Sequence, residues 1–222
     1  VNGPEIIFVI PFGERGIPVT QTVTTTWFIM LVLFGLSIFL TRKMSIKPKK
    51  KQVIVETIVD GIYDLTESTM GKQFKHFSPY IGTLLLLVGF ANISGLLGLR
   101  PPTSDLNTTL GLALITFFLI HFTGIKSKGV GGYLKGFLEP MPFLLPINLM
   151  GEIATPISLS FRLFGNILGG LIIMTLVYQA LGWFSLIPVP AILHMYFDLF
   201  AGLLQSFIFG MLTMVFVSLA SD

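Results

Sequence analysis

The sequence predicts an all-α integral membrane protein: about five membrane helices and one amphipathic surface helix, with the last two membrane helices long, tilted and paired as a hairpin. Three observations carry that expectation. Of 222 residues, 53% are hydrophobic and only 11% charged, whereas soluble domains carry roughly 25% charged residues; the mean hydropathy is +0.84. Apolar runs recur at lengths of about 20 residues, which at ~1.5 Å per residue cross a hydrocarbon core of roughly 30 Å. The basic residues gather in alternate loops. A soluble chain of this length could bury a good core, but so few charges would not cover its surface. Cysteine is absent, which excludes a disulfide framework, a thiolate metal site and a Cys nucleophile.

The chain reads as a single membrane domain. Residues 1–22 form an outer N-terminal segment; no basic stretch precedes an apolar run there, so no signal peptide is expected. Residues 23–41, "VTTTWFIMLVLFGLSIFLT", are span one. Residues 52–70 carry Ile54, Ile58, Ile62 and Leu65 at helical spacing, with Glu56, Asp60, Asp64 and Glu67 as a second stripe, which predicts an amphipathic helix lying on the membrane surface. That acidic face reads as a solvated or partner-facing side and not as a metal site. Span two covers 78–99. Span three covers 107–126, where the apolar run Leu110 to Ile125 gains length from Asn107-Thr108-Thr109.

The last two elements, 138–182 and 190–221, are too long for plain crossings. A helix from Gly151 to Gly182 would measure about 48 Å and one from Ala191 to Ser221 about 46 Å, so both must tilt, bend or lie partly along the membrane. "GWFSLIPVP", Gly182 to Pro190, is the expected turn between them. Eleven of the 14 basic residues fall in two loops. Arg42, Lys43, Lys47, Lys49, Lys50, Lys51, Lys72 and Lys75 separate spans one and two, and Lys126, Lys128 and Lys135 follow span three. The positive-inside rule then puts these loops and the C-terminus in the cytoplasm and the N-terminus outside. Topology accounts for the net charge of +3, so no nucleic-acid partner is expected. The lone Gly71-Lys72 pair lacks the rest of a phosphate loop, and no cofactor or metal is expected.

Charges are rare in the hairpin. Glu152 and Arg162 are the exceptions from Phe143 to Ile187 and Asp198 from Ile192 to Ser221, and a charge at mid-membrane costs about 2.5–3.5 kcal/mol on insertion scales. On the first arm Glu152, Thr155, Ser158, Arg162, Asn166 and Gly169 or Gly170 follow three- and four-residue steps and share one broad face. On the second arm His194, Asp198, Gly202 and Gln205 do the same, continuing through Ser206, Gly210 and Thr213. Small residues at such spacing also permit close helix packing, and Gly165, Gly169, Gly202 and Gly210 admit either reading. Arg162 lies too deep in its helix to snorkel to an interface. His76 and His121 read as interfacial or packing histidines.

The strings "LPINLMGEIATPISLSFRLFGNILGG" and "LLQSFIFGMLTMVFVSLA" resemble subunit a of the F-type ATP synthase, the stator channel beside a rotating ring. "PPTSDLNTTLGLAL" and "GIKSKGVGGYL" match in order, so the resemblance covers about Val23 to Ser221. It implies an ion-translocating stator subunit that is not itself the ATP-hydrolysing part. Its implied partners are the c-subunit ring, peripheral-stalk b subunits, the remainder of the complex, the lipid bilayer and translocated H+ or Na+. A bacterial plasma membrane is the implied location. Arg162 would be the essential arginine that faces the ring carboxylates and separates two aqueous half-channels. Gln205 would neighbour it from the second arm, and Asn166 would lie toward the outer half-channel. Asp198 would relay the ion there, Glu152 would stand near the cytoplasmic exit, and Asn92 and Asp105 would lie toward the outer opening. His194 and Ser158 complete the polar lining of these paths. The chain departs from the pattern at Leu171, where some relatives carry an acid or His. Two other classes compete: a secondary transporter with a buried charge relay, which would show repeated halves, and a scaffold whose polar face only packs.

Overall fold

The computed structural model describes residues 5–11, 17–42, 44–45, 50–182 and 188–221. Lys43, Lys47, Lys49 and most of the turn expected after Gly182 lie outside the described residues. The architecture is all-helical apart from one short hairpin, with strands β1 (Ile6–Ile10) and β2 (Ile17–Thr20) paired antiparallel, Ile10 opposite Ile17. That hairpin falls within the outer N-terminal segment, where no regular element was expected. Five consecutive apolar and mostly β-branched residues are too few for a stable helix and suit a strand.

Helix α1 (Gln21–Thr41) follows directly. Only Thr22, Thr25 and Ile29 are buried on it, while Trp27, Phe28, Leu31, Phe34 and Phe39 stay exposed, as befits a helix whose remaining surface meets lipid. Helix α2 (Lys50–Met70) carries the amphipathic pattern. Ile54 and Ile58 are exposed near its start, whereas Thr66 and Met70 near its end are buried. A 3-10 turn (Lys72–Phe77) leads into α3 (Ser78–Ile93). Helix α4 (Leu106–Gly136) outruns the expected third span by ten residues and breaks at Gly129. There φ is 71° and ψ 161°, backbone that glycine adopts without strain. The break folds Tyr133 back onto Gly124, where an added Cβ would sit 2.5 Å from the tyrosine ring.

Helix α5 (Leu145–Leu181) is a single helix of 37 residues despite Pro156 inside it, about 54 Å long. The last arm is not one helix. It comprises α6 (Val189–His194), a π-helical stretch (Met195–Ala201) and α7 (Gly202–Ser221). Among the described residues, five segments are long and apolar enough to cross a membrane: Gln21–Thr41, Lys72–Leu97, Leu106–Gly136, Pro142–Leu181 and Val189–Ser221. The chain is thus a multi-pass membrane protein.

The core sits where α3, α4, α5 and α7 meet. Leu84, Val88, Ala113, Leu159, Leu163 and Phe209 form one buried cluster, and Met70, Phe74, Ile81, Ile120, Met214 and Val217 another nearer the basic end. Lipid is as apolar as leucine, so close fit and interhelical hydrogen bonds hold such helices together. Thr109 pairs with Ser160 at 3.1 Å, Thr116 with Thr213 at 3.3 Å, and the Ser206 hydroxyl donates to the Leu85 carbonyl at 2.8 Å. Each such bond contributes about 0.6 kcal/mol.

The four glycines divide cleanly. A Cβ on Gly202 would stand 3.0 Å from Asn92 Cβ and one on Gly210 2.6 Å from the Leu85 side chain, whereas Gly165 and Gly169 meet nothing within 4 Å. Gly202→Val is therefore expected to destabilise the folded chain by about 1–3 kcal/mol through forced separation of α3 and α7. Gly169→Leu should change it by less than about 0.5 kcal/mol. Denaturant titration of the detergent-solubilised chain, read by tryptophan fluorescence, checks both.

Candidate functional site

Helix α5 presents two faces. Pro156, Leu159, Ser160, Leu163, Ile167, Gly170 and Met174 are buried against the bundle. Ser158, Arg162, Gly165 and Asn166 are exposed on an adjacent strip. Successive residues turn by ~100°, so Ser158, Arg162, Asn166 and Gly169 stack within roughly 40° of one line. Arg162 stands 17 residues past Leu145, about 26 Å along the axis and close to the middle of the helix. Among the described residues, none makes a hydrogen bond or ion pair with its guanidinium.

The second arm meets this face at one amide. Gln205 is 3% exposed, and its Oε1 accepts from Asn166 Nδ2 at 2.7 Å. The rest of its expected polar stripe has another task. Gly202, Ser206, Gly210 and Thr213 pack into α3 and α4 through the contacts given above, so most of that stripe is helix packing.

His194 and Asp198 belong to a separate group. Asp198 Oδ2 is hydrogen-bonded to His194 Nδ1, and His194 Nε2 to the Tyr178 hydroxyl at 2.9 Å. Asp198 sits in the π-helical stretch, where the wider i→i+5 turn shifts the register of the side chains that follow. Its carboxyl lies against backbone: an added Cβ on Gly95 would be 3.1 Å from it. These groups line a cavity of about 320 Å³ with Arg100, Leu171, Thr175, Gly95 and Gln21. Leu171 therefore does face the same space as Asp198, as an apolar wall.

Two further cavities open on the other side of Arg162. One of about 190 Å³ is lined by Gly151, Thr155, Ser158 and Arg162 of α5 with Leu212 and Phe216 of α7. The other, of about 550 Å³, shares Gly151 and Thr155 and adds Lys128, Tyr133, Glu139, Asn148 and Glu152. Its wall includes the folded-back end of α4, where the Tyr133 hydroxyl bonds His121 Nδ1 at 2.8 Å. His121 also stacks edge-on against Phe117. Cavities with polar groups in their walls thus lie on both sides of the arginine along α5, and the Asn166–Gln205 pair lies beside it.

Asn92 and Asp105 are placed differently. Asn92 is 1% exposed; its Nδ2 donates to the Gly202 carbonyl at 2.8 Å and its Oδ1 accepts from Thr103 at 2.6 Å. It ties α3, α7 and the loop before α4 together, and neither it nor Asp105 lines the cavity around Asp198. Asp105 caps α4, accepting from the Asn107 amide at 3.0 Å, and its other oxygen accepts from Thr22 at 3.0 Å. Asn92→Leu is expected to cost about 1–3 kcal/mol, because the Gly202 carbonyl and Thr103 hydroxyl lose a buried partner. A lower unfolding midpoint with unaltered flux per assembled complex is the expected result. Tyr178 was missed in the sequence because a tyrosine near a helix end reads as an interfacial anchor. The signal available was its place seven residues after Leu171, on the same helical face. Among the described residues, no group of three His, Cys, Asp or Glu is arranged to hold a metal.

Comparison with known proteins agrees with these features. Residues 23–218 match the protein family described as ATP synthase A chain. The sodium-ion-specific ATP synthase subunit a of Propionigenium modestum is 39% identical, the match covering 98% of this chain and 84% of that protein. ATP synthase subunit a 2 of Bradyrhizobium sp. is 39% identical over 92% of this chain and 90% of the relative. ATP synthase subunit a of Moorella thermoacetica is 35% identical, with 91% of each chain covered. The Arg162-Leu163-Phe164-Gly165-Asn166 motif on α5, the five crossing segments and these likenesses converge: the chain belongs to the ATP synthase subunit a family.

Proposed function

We propose that the chain is the ion-translocating stator subunit of a rotary ATP synthase, and that Arg162 separates two aqueous half-channels. The observation that carries this reading is the exposed Arg162 at the middle of α5 with cavities on either side whose walls include polar groups. Its exposed strip, with open space at Gly165 and Gly169, is the face offered to the c-subunit ring. A ring carboxylate that comes beside the guanidinium is held ionised, because a neighbouring cation lowers its pKa by about 1–3 units. It must release its ion to one half-channel before passing and reload from the other afterwards. The planar guanidinium offers such a carboxylate two parallel N–H donors.

In this reading the cavity with Asp198 and His194 is the outer half-channel, and the cavities with Ser158 and Glu152 are the cytoplasmic one. The N-terminus lies outside and the C-terminus in the cytoplasm, following the basic loops, in a bacterial plasma membrane. Peripheral-stalk b subunits hold the chain against rotation, and ATP chemistry stays in the rest of the complex. Helix α2 lies at the cytoplasmic surface, its exposed Ile54 and Ile58 toward lipid headgroups. The coupled ion is H+ or Na+; the Propionigenium relative is named for sodium.

A reconstitution tests the assignment. Liposomes holding the purified chain alone are expected to show no ion flux above empty liposomes, and liposomes holding chain plus ring should conduct. Flux from the chain alone would indicate a self-sufficient transporter and overturn the reading.

A further inference from the structure

Strand β1 is apolar from end to end and open along its whole length: Ile6, Ile7, Phe8, Val9 and Ile10 are each between 40% and 60% exposed. We infer that the β1–β2 hairpin is an interfacial membrane anchor, lying in the headgroup–acyl boundary at the Asp105 end of the bundle, with the lipid surface itself as its partner. The anchor needs only a membrane-spanning α1 and is independent of what Arg162 does.

The ribbon is open on both sides. Phe8 pairs with Val19 and Val9 with Pro18, and successive side chains of a strand point to opposite faces. Phe8 thus shares a face with Val19, which is buried, and Val9 shares the other with Pro18, which is exposed. Even so, Phe8 and Val9 are open to a similar degree. A protein partner seats on one face of a two-stranded ribbon, whereas a fluid boundary wets both. In water a lone two-stranded hairpin is marginally stable, and an exposed apolar edge strand invites aggregation. Lipid removes both liabilities.

Hydrogen bonds fix the level at which the hairpin sits. The Gln21 amide donates to the Glu5 carbonyl at 2.9 Å, which locks the hairpin to the first turn of α1. The Thr22 hydroxyl donates to the Asp105 carboxylate at 3.0 Å and pairs with the Thr20 hydroxyl at 2.9 Å, which holds that junction beside the start of α4. Both α1 and α4 are long and apolar enough to cross a membrane, so their adjoining starts mark one of its boundaries. The apolar surface of β1 continues there into that of α1, where Trp27, Phe28 and Leu31 are exposed. Trp27 lies about 9 Å along the helix from Gln21, and tryptophan gathers at the headgroup level.

The depth is limited as well. A two-stranded ribbon has open edges, and unpaired backbone groups do not enter the hydrocarbon core. Pro11 after β1 and Pro18 on β2 carry no N–H, which lowers the number of donors that need water. The uncharged run from Ile6 to Gly13 is bounded by Glu5 on one side and Glu14 and Arg15 on the other. At about 17 Å, β1 is too short to cross. An apolar middle between charged ends therefore lies along the boundary. The consequence falls on α1, whose buried residues Thr22, Thr25 and Ile29 are all in its first half. The bundle holds this helix at its start alone, and an interfacial anchor at that point sets its depth and tilt.

Spin labels test the anchor. The chain has no cysteine, so Val9→Cys and Phe8→Cys, made singly and labelled before assembly into liposomes with the rest of the membrane sector, each report one place. Both side chains are exposed, and substitutions at such positions leave the fold nearly as stable. Collisions of the label with oxygen, which concentrates in lipid, are compared with those of a water-soluble nickel chelate. At both positions the oxygen-to-nickel ratio is expected to rise several-fold over that of free label in buffer, to the value of a site roughly 5–10 Å into the boundary. Phe28→Cys, about 10 Å along α1 from Gln21, should read deeper than either. A ratio at either position equal to that of free label would leave the hairpin in water and overturn the anchor. Scarce collisions with both reagents would place a protein subunit over the ribbon and overturn it too. Failure of the stator reading would show separately, as coupled transport surviving Arg162→Ala.

Discussion

Arg162→Ala is expected to abolish ion-coupled ATP synthesis in vesicles carrying the assembled complex, while ATP hydrolysis by the detached catalytic head continues at its normal rate. The cause is electrostatic. A cation beside a carboxylate lowers its pKa by about 1–3 units, and each unit corresponds to about 1.36 kcal/mol. Without it, ion release from the ring carboxylate becomes roughly ten- to a thousandfold less favourable, and rotation stalls. In the stator reading the same substitution also removes the charge that separates the cavities near Asp198 and near Ser158, so any residual flux should be leak without rotation. Arg162→Lys keeps a charge but loses the planar fork, and an intermediate defect is expected. The side chain is exposed and makes no bond with the described residues, so the fold itself should survive both changes. Proton-driven synthesis at the normal rate in Arg162→Ala vesicles would end the stator assignment. Tolerance of Arg162→Leu would instead favour a scaffold that only packs.

Asp198→Asn should be nearly as damaging to transport, by a different route. The substitution keeps size and polarity and removes the carboxylate that, in the stator reading, relays the ion in the outer half-channel. General acid–base groups contribute typically 10²–10⁴-fold to proton-transfer steps, so flux per complex is expected to fall by about a hundredfold, with assembly unchanged. The carboxyl has little room to compensate, because it already rests against Gly95. Gly95→Ala should therefore reproduce part of the Asp198→Asn defect without removing any polar group, since the new Cβ displaces the carboxyl from its place. Reduced amounts of complex with normal flux per complex, in either variant, would assign Asp198 to assembly. Quantifying the complex by gel and flux by a pH-sensitive dye in the same vesicles separates the two.

The polar stripes show where sequence periodicity stops being informative. Spacing states that His194, Asp198, Gly202, Gln205, Ser206, Gly210 and Thr213 share a helical face. It does not state what covers that face. In the structure α3 and α4 cover Gly202, Ser206, Gly210 and Thr213, Gln205 reaches Asn166, and only His194 and Asp198 reach a cavity. The π-helical stretch between α6 and α7 breaks the single periodicity that the sequence implied. On the first arm the stripe stays exposed from Ser158 to Asn166 because, among the described residues, no helix packs over it beyond the Asn166–Gln205 contact.

By itself, the sequence determined that this is a membrane chain, where its long apolar segments lie, which family it joins, and that Arg162 is its deepest unexplained charge. Those properties are local: hydropathy, segment length and a contiguous motif need no knowledge of neighbours. Only the tertiary structure decided that Asn92 and Asp105 tie helices together, that Leu171 walls a cavity, and that Tyr178 meets His194 across the two arms. The physical reason is that a polar group's role depends on what lies within about 3 Å of it, and Asn92, for example, finds its partners 11 and 110 residues away.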